Sequence, residues 1–436
     1  MQKIRVLKAA KEISWITFGQ VLVVLGGLVG VRILTNYLTP TQYGELSLGL
    51  SVGLLINVVF IIPISNGASR FFSSSRLEED SGNYFKALFN IIVKVFVLIL
   101  IFSTLLIIIF SSIGFQKWID LLIASLCFGC FFGLNNMSNN IQNASRKRHI
   151  VAIHKGLMTF FRFLFAVLSI KFFGNTTLNT MYGQAVGMFI VFLSQIFFLK
   201  KLLNESNSQA IQNQITNYWE SKIIKYSWPF ATWGILGWLL NSIDRWALLF
   251  FSSAETVGLY AAIYQIGYYP ISIIVGLLTN YIEPIYYQKA GDGEDPGKIR
   301  NTFRLAMKIN LTLVALLLFI VIFGFYFHGT IFSIFLDQKY GSVSYLLGPM
   351  MLVSLLDGNT ALISAVLHTK KETKSLIVPK CTTGLSGIVL TLIGAYFYDL
   401  KGILFAFMIN AIFKFIWFYS LTRKQYENPK FKLEKY

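Results

Sequence analysis

Apolar residues in this chain neither alternate nor mark a single helical face. They run on in blocks of about twenty or more, broken by short polar or basic stretches. Six blocks fall at about 13–38, 43–64, 87–110, 119–141, 156–174 and 178–199, and six more at about 229–251, 257–281, 303–327, 344–368, 376–397 and 401–422. A helix needs roughly 20 apolar residues to cross a bilayer. The strands of a membrane barrel would be about 10 residues long and alternate in polarity. Backbone groups in lipid must be satisfied within the segment, which leaves helices. The pattern therefore predicts an all-α, polytopic membrane protein of about twelve transmembrane helices.

Composition agrees. Of 436 residues, 55% are hydrophobic and 13% charged, whereas a soluble domain carries about 25% charged residues. The net charge of +18 would suit a nucleic-acid binder, but its placement argues otherwise. Of the 38 Lys and Arg residues, 28 lie on one side of the predicted spans, in segments 1–12, 65–90, 142–155, 200–228, 283–308, 368–376 and 423–436. Lys117, Lys171, Lys339 and Lys401 lie on the other side. This bias puts both termini in the cytoplasm, and the basic excess reads as topology plus attraction to anionic headgroups. No nucleic-acid partner is expected. Three cysteines make no disulfide framework, four histidines make no metal site, and the first apolar stretch is too long for a cleavable signal. The aromatic residues Trp118, Trp219, Trp228 and Tyr436 read as interfacial belts and ends.

The longest connection divides the spans six and six. It suggests an N-terminal lobe over 1–203, a cytoplasmic linker over 204–227, a C-terminal lobe over 228–422 and a basic tail over 423–436. The halves echo each other. Arg32 is followed by a turn and Tyr43-Gly44, and Asp244-Arg245 by a turn and Val257-Gly258. With an even number of spans in each half, such repeats would be parallel. The spacings Gly26/Gly30, Gly49/Gly53, Gly129/Gly133 and Gly183/Gly187 suit close helix packing. They serve either packing inside a lobe or a dimer face.

Two stretches carry a resemblance. Gly30-Val-Arg32-Ile-Leu-Thr-Asn-Tyr-Leu-Thr-Pro-Thr-Gln-Tyr43-Gly44, running on to Ser69-Arg70, is the first, and Ser242-Ile-Asp244-Arg245 with Val257-Gly258-Leu-Tyr260 is the second. In these and in its twelve-helix layout the chain resembles the Wzx-type oligosaccharide flippases of the multidrug/oligosaccharidyl-lipid/polysaccharide exporter superfamily. The resemblance implies two six-helix lobes around a central cavity and alternating access in the bacterial cytoplasmic (inner) membrane. It also implies an undecaprenyl-diphosphate-linked oligosaccharide as cargo, such as an O-antigen or other surface polysaccharide unit, and other polysaccharide-assembly membrane proteins as partners.

Ionisable residues at bilayer depth cost roughly 2.5–3.5 kcal/mol each on insertion scales and mark function by default. Arg32, Asp244 and Arg245 lie deep, in the outer half of the membrane. Arg32 and Arg245 could present cations to a diphosphate, because a guanidinium fork fits phosphate oxygens bidentately. Asp244 could instead pair with an arginine of another helix, Arg32 for example, and hold a gate. Adjacent side chains point about 100° apart, so Asp244 and Arg245 are not expected to share a partner. Asp357 sits near the midplane and is either a proton or sodium coupling site or the salt-bridge partner of Lys414 or Arg162, while Lys414, the other deep cation of that lobe, is itself a candidate for the substrate-binding cavity or gate. Lys94, Arg162 and Lys380 lie within snorkelling reach of a helix end, and Arg162 is the best substrate contact of the three. Arg70 is placed where substrate would enter. Asn135, Asn136, Asn139, Asn140 and Asn143 form a polar face that could line a cavity or bond between helices.

Other chemistry finds no support. Cys127-Phe-Gly-Cys130 lacks the second pair of a zinc site, and Gly291–Gly297 lacks the terminal Glu of a calcium loop. No phosphate-binding GxxxxGK[ST] motif occurs. No metal, cofactor or catalytic residue is expected, coupling to H+ or Na+ aside. A drug/cation antiporter of the same superfamily would call for an acidic cavity, whereas the buried charge here is mostly positive. A membrane glycosyltransferase or polymerase would need a large outer loop, and the outer loops are short.

Overall fold

The computed structural model describes residues 2–112, 114–204, 212–291, 295–367 and 376–427. The polar linker at 205–211, the acidic turn at 292–294, the basic loop at 368–375 and the tail beyond 427, with Tyr436, lie outside the described residues. Among the described residues there is no strand. The first six rods are α1 (Gln2–Tyr37), α2 (Pro40–Leu77), α3 (Ser81–Ser112), α4 (Ile119–Ala144), α5 (Arg148–Phe173) and α6 (Thr177–Asn204). Next come α7 (Asn213–Phe251), α8 (Ala254–Ala290), α9 (Pro296–Tyr326) and α10 (Leu347–Leu367). The last helical stretch, Ile377–Glu427, breaks at Tyr398 and Asp399, where Asp399 has φ 49°. A positive φ is costly for a residue with a Cβ, so the break separates α11 (377–397) from α12 (400–427).

These are the twelve expected helices. Among the described residues ten segments are long and apolar enough to cross a membrane. In that number α11 and α12 run together, and α7 falls short because Asn241, Asp244 and Arg245 dilute it. The lengths differ from the expectation at the ends. α7, for example, starts at Asn213, well before the apolar stretch at 229.

Two compact units divide the chain, Met1–Ser242 and Ile243–Tyr436. In the first, α4 is the central helix, packed against α2 and α6, while α5 joins α1 to α6. In the second, α10 is central, packed against α8, α9 and the α11–α12 stretch. The peripheral α3 leaves Phe89, Val97, Leu100, Leu105 and Ile108 exposed. So long an apolar exterior would aggregate in water and is satisfied in lipid.

The second rod of each unit bends at a matched place. In α2 a π-helical turn, Asn57–Ile61, comes just before Pro63. In α8 the turn is Tyr264–Tyr268, just before Pro270. Proline has no N–H to donate and its ring crowds the preceding turn, so the helix takes in an extra residue at that point. Both rods also start on a hydroxyl cap, Thr39 accepting from the Gln42 amide and Ser253 from that of Thr256.

The glycine spacings serve packing within the first unit. A Cβ on Gly129 of α4 would lie 2.5 Å from the carbonyl oxygen of Gly53 in α2, and one on Gly183 or Gly187 of α6 would lie 2.4 Å from a carbonyl of α5. Gly129→Ala is therefore expected to destabilise by about 1–3 kcal/mol through overpacking. Gly237→Ala, which meets nothing within 4 Å, is expected to be neutral or stabilising through helix propensity. Thermal unfolding in detergent compares the two.

Candidate functional site

In the second unit a chain of ionisable side chains joins four helices. It begins with Asp244, 3% exposed. Its Oδ2 accepts a short hydrogen bond from the Tyr260 hydroxyl. Its Oδ1 accepts from the Arg245 amide at 2.8 Å and lies 3.5 Å from Arg245 Nη1. The Arg245 guanidinium lies 5.3 Å from the Tyr264 ring centre and 6.0 Å from that of Tyr260, within cation–π range. Contrary to the sequence expectation, Asp244 and Arg245 do share a partner. The carboxylate takes the Tyr260 hydroxyl, and the long arginine folds back over the ring.

The chain continues along α8. Tyr260, Tyr264 and Tyr268 recur every four residues and so stay on one face. The π turn holds the last two rings nearly parallel, 4.7 Å between centres. The Ser354 hydroxyl of α10 bonds to the Tyr268 carbonyl at 2.8 Å. The Tyr268 hydroxyl donates to Asp357 Oδ2 at 3.0 Å, and Lys414 Nζ of α12 meets Asp357 Oδ1 at 2.8 Å. Of the two roles open to Asp357, the salt bridge with Lys414 is present. Two carboxylates, each with a tyrosine donor and a cation, thus stand at the ends of an aromatic stack. Sequence reasoning found the charges and missed the tyrosines, although their spacing of four was the available signal.

In the first unit Arg32 is half-buried on α1, and its Nη1 is buried with no hydrogen-bond partner. Arg162 donates from Nε to Gln184 Oε1 at 2.8 Å and lies 5.2 Å from the Phe128 ring centre. Its polar neighbour comes from α6, which the apolar sequence around it does not reveal. Arg70 is exposed on α2. The asparagine face of α4 bonds between helices. Asn135 donates to the Met188 carbonyl at 2.8 Å, Gln195 donates to Asn135 and Asn139, and Asn140 donates to Ser65 Oγ at 2.8 Å.

Lys94 meets Glu220, which Asn90 also contacts at 2.7 Å. Sequence reasoning missed Glu220 because it precedes the apolar stretch of α7. Trp219 beside it is fully buried and donates to Asp80 at 3.3 Å, so it is not an interfacial residue. Burial pushes the Glu220 carboxyl up, but the hydrogen bonds from Lys94 and Asn90 and the lysine charge outweigh it, leaving it below the usual range. A carboxyl lowered on folding contributes stability above its unfolded value, and that contribution is lost as pH falls through the folded value. The stability difference between the protein and Glu220→Gln is thus expected at pH 7 and should fade below about pH 4. Thermal unfolding across pH measures it. Among the described residues no three His, Cys, Asp or Glu side chains are grouped to hold a metal ion.

The fold is that of known transporters. A structure of the lipid II flippase MurJ in an inward closed conformation aligns with TM-score 0.64 and 15% identity, over 94% of this chain and 87% of that one. An inward-facing multidrug resistance MATE family transporter of the MOP superfamily aligns with TM-score 0.62 and 15% identity, over 94% and 96%. A MOP superfamily transporter from Pyrococcus furiosus, described as having a binding pocket of reverse polarity, aligns with TM-score 0.54 and 15% identity, over 96% and 97%. No curated protein matches the chain. The sequence profile of the polysaccharide biosynthesis proteins matches residues 9–286. That is well over half of this helical membrane chain, which therefore belongs to the polysaccharide biosynthesis protein family.

Proposed function

We propose that the protein is a flippase that carries an undecaprenyl-diphosphate-linked oligosaccharide across the bacterial cytoplasmic membrane by alternating access, with both termini in the cytoplasm. The observation that carries this reading is Arg32, a guanidinium in an apolar helix whose buried Nη1 has no hydrogen-bond partner. Leaving a buried charged donor unmet costs more than about 1–3 kcal/mol. An anionic oxygen that arrives and departs answers that cost, and a diphosphate supplies several. Arg245, with its guanidinium against Tyr264, Arg162 and Arg70 are the further cations assigned to guiding the head. The family supports a glycan cargo, and the half-buried arginines Arg32, Arg162 and Arg245 within apolar helices support an anionic linkage over an organic cation.

Asp244 with Tyr260, and Asp357 with Tyr268 and Lys414, serve as the gate or as the point of coupling to H+ or Na+. Other polysaccharide-assembly membrane proteins supply and consume the cargo. Proteoliposomes holding a fluorescent undecaprenyl-diphosphate-linked sugar test the reading. Protein-dependent movement of the sugar between leaflets is expected. Export of organic cations with no movement of the lipid-linked sugar would replace this reading with that of an antiporter.

A further inference from the structure

An arginine side chain is long and rich in rotamers, and its flat guanidinium takes a defined orientation only against a flat or forked partner. Asp244 is a poor guide for Arg245, because its Oδ1 lies 3.5 Å from Nη1, longer than the usual hydrogen bond. The flat partner is Tyr264, whose ring centre is 5.3 Å from the guanidinium. Tyr264 is backed in turn by Tyr268, with ring centres 4.7 Å apart and planes 15° from parallel. Tyr268 is fixed to α10 at both ends. Its carbonyl accepts from Ser354 Oγ at 2.8 Å, and its hydroxyl donates to Asp357 Oδ2 at 3.0 Å. Lys414 Nζ, 2.8 Å from Oδ1, holds the carboxylate from α12. An unbroken line of contacts therefore runs from Lys414 to the Arg245 guanidinium.

The two ends of the line differ in access. The side chains of Lys414 and Asp357 are 29% and 24% exposed, and those of Arg245 and Asp244 are 16% and 5% exposed. A change in surroundings thus reaches Asp357 more readily than Asp244. Released from Asp357, the Tyr268 ring loses its anchor and gains orientational freedom. Tyr264 and the guanidinium follow, because ring stacking and cation–π contact both depend on ring geometry. Orientation matters at Arg245, since a bidentate grip on phosphate oxygens depends on the plane of the fork.

We propose that Tyr264 and Tyr268 are positioning residues that set the Arg245 guanidinium for a diphosphate, and that the Asp357–Lys414 pair anchors them. This rests on the assignment of Arg245 to the cargo's head. The test takes the ratio of flipping rates for one sugar linked to undecaprenol through a diphosphate and through a monophosphate, with the full chain in proteoliposomes. Tyr264→Leu is expected to lower that ratio to the value of Arg245→Ala, and to lower it no further when the two are combined. Tyr264→Phe keeps the ring and should restore the native ratio. Tyr268→Phe keeps both rings and loses only the bond to Asp357, so the ratio should fall about threefold, the worth of one hydrogen bond. That variant decides alone if Tyr264→Leu does not fold. A merely structural role would slow both lipids alike, and an unchanged ratio in either Tyr264→Leu or Tyr268→Phe would overturn the proposal. Equal rates for the two lipids in the native protein would overturn the diphosphate reading itself and the proposal with it, a result distinct from a native preference that survives these substitutions.

Discussion

Arg32→Ala is expected to slow flipping of a diphosphate-linked sugar by about ten- to hundredfold, from the loss of a charge-assisted hydrogen bond worth about 1.5–3 kcal/mol. The same change is expected to leave thermal stability unchanged or slightly raised. The Arg32 Nη1 atom has no hydrogen-bond partner to strand, and removing an unmet buried donor relieves a cost. An arginine that held the helices together would show the opposite, a fall in stability with activity following it. Arg32→Lys should lie between, since it keeps the charge and loses the bidentate fork. Initial flipping rates in proteoliposomes, with unfolding in detergent beside them, separate these outcomes.

Asp244→Ala is expected to give the largest loss of stability, about 3 kcal/mol. It strips the acceptor from the fully buried Tyr260 hydroxyl and a counter-charge from Arg245. Asp244→Asn keeps the size and one acceptor oxygen and should cost less. The double variant Asp244→Ala/Tyr260→Phe should be more stable than the sum of its singles, because the orphaned hydroxyl is gone. Contacting residues in one network are coupled in this way. Additive losses would show that the two side chains do not act together.

The helices and their number were legible because a spanning helix writes its length in apolar residues. The break between α11 and α12 was legible as the pause at Tyr398–Lys401, and the bends in α2 and α8 were marked only by Pro63 and Pro270. The deep charges were legible as charges, and the pairing of Asp357 with Lys414 as one of two options. What they touch was not. Tyr260, Tyr264 and Tyr268 look like any aromatic residues of a span, and their role depends on which neighbour presents a carboxylate. Glu220 and Trp219 sit in polar sequence that reads as linker, yet they anchor the start of α7 to α3 and to the turn before it. Hydropathy reports depth, and it does not report partners.

The most direct test compares two cargoes in the same proteoliposomes, one sugar linked to undecaprenol through a diphosphate and the same sugar linked through a monophosphate. Faster flipping of the diphosphate form is expected, with the preference collapsing in Arg32→Ala and Arg245→Ala. Equal rates for both lipids in the native protein, or a preference untouched by either substitution, would contradict it.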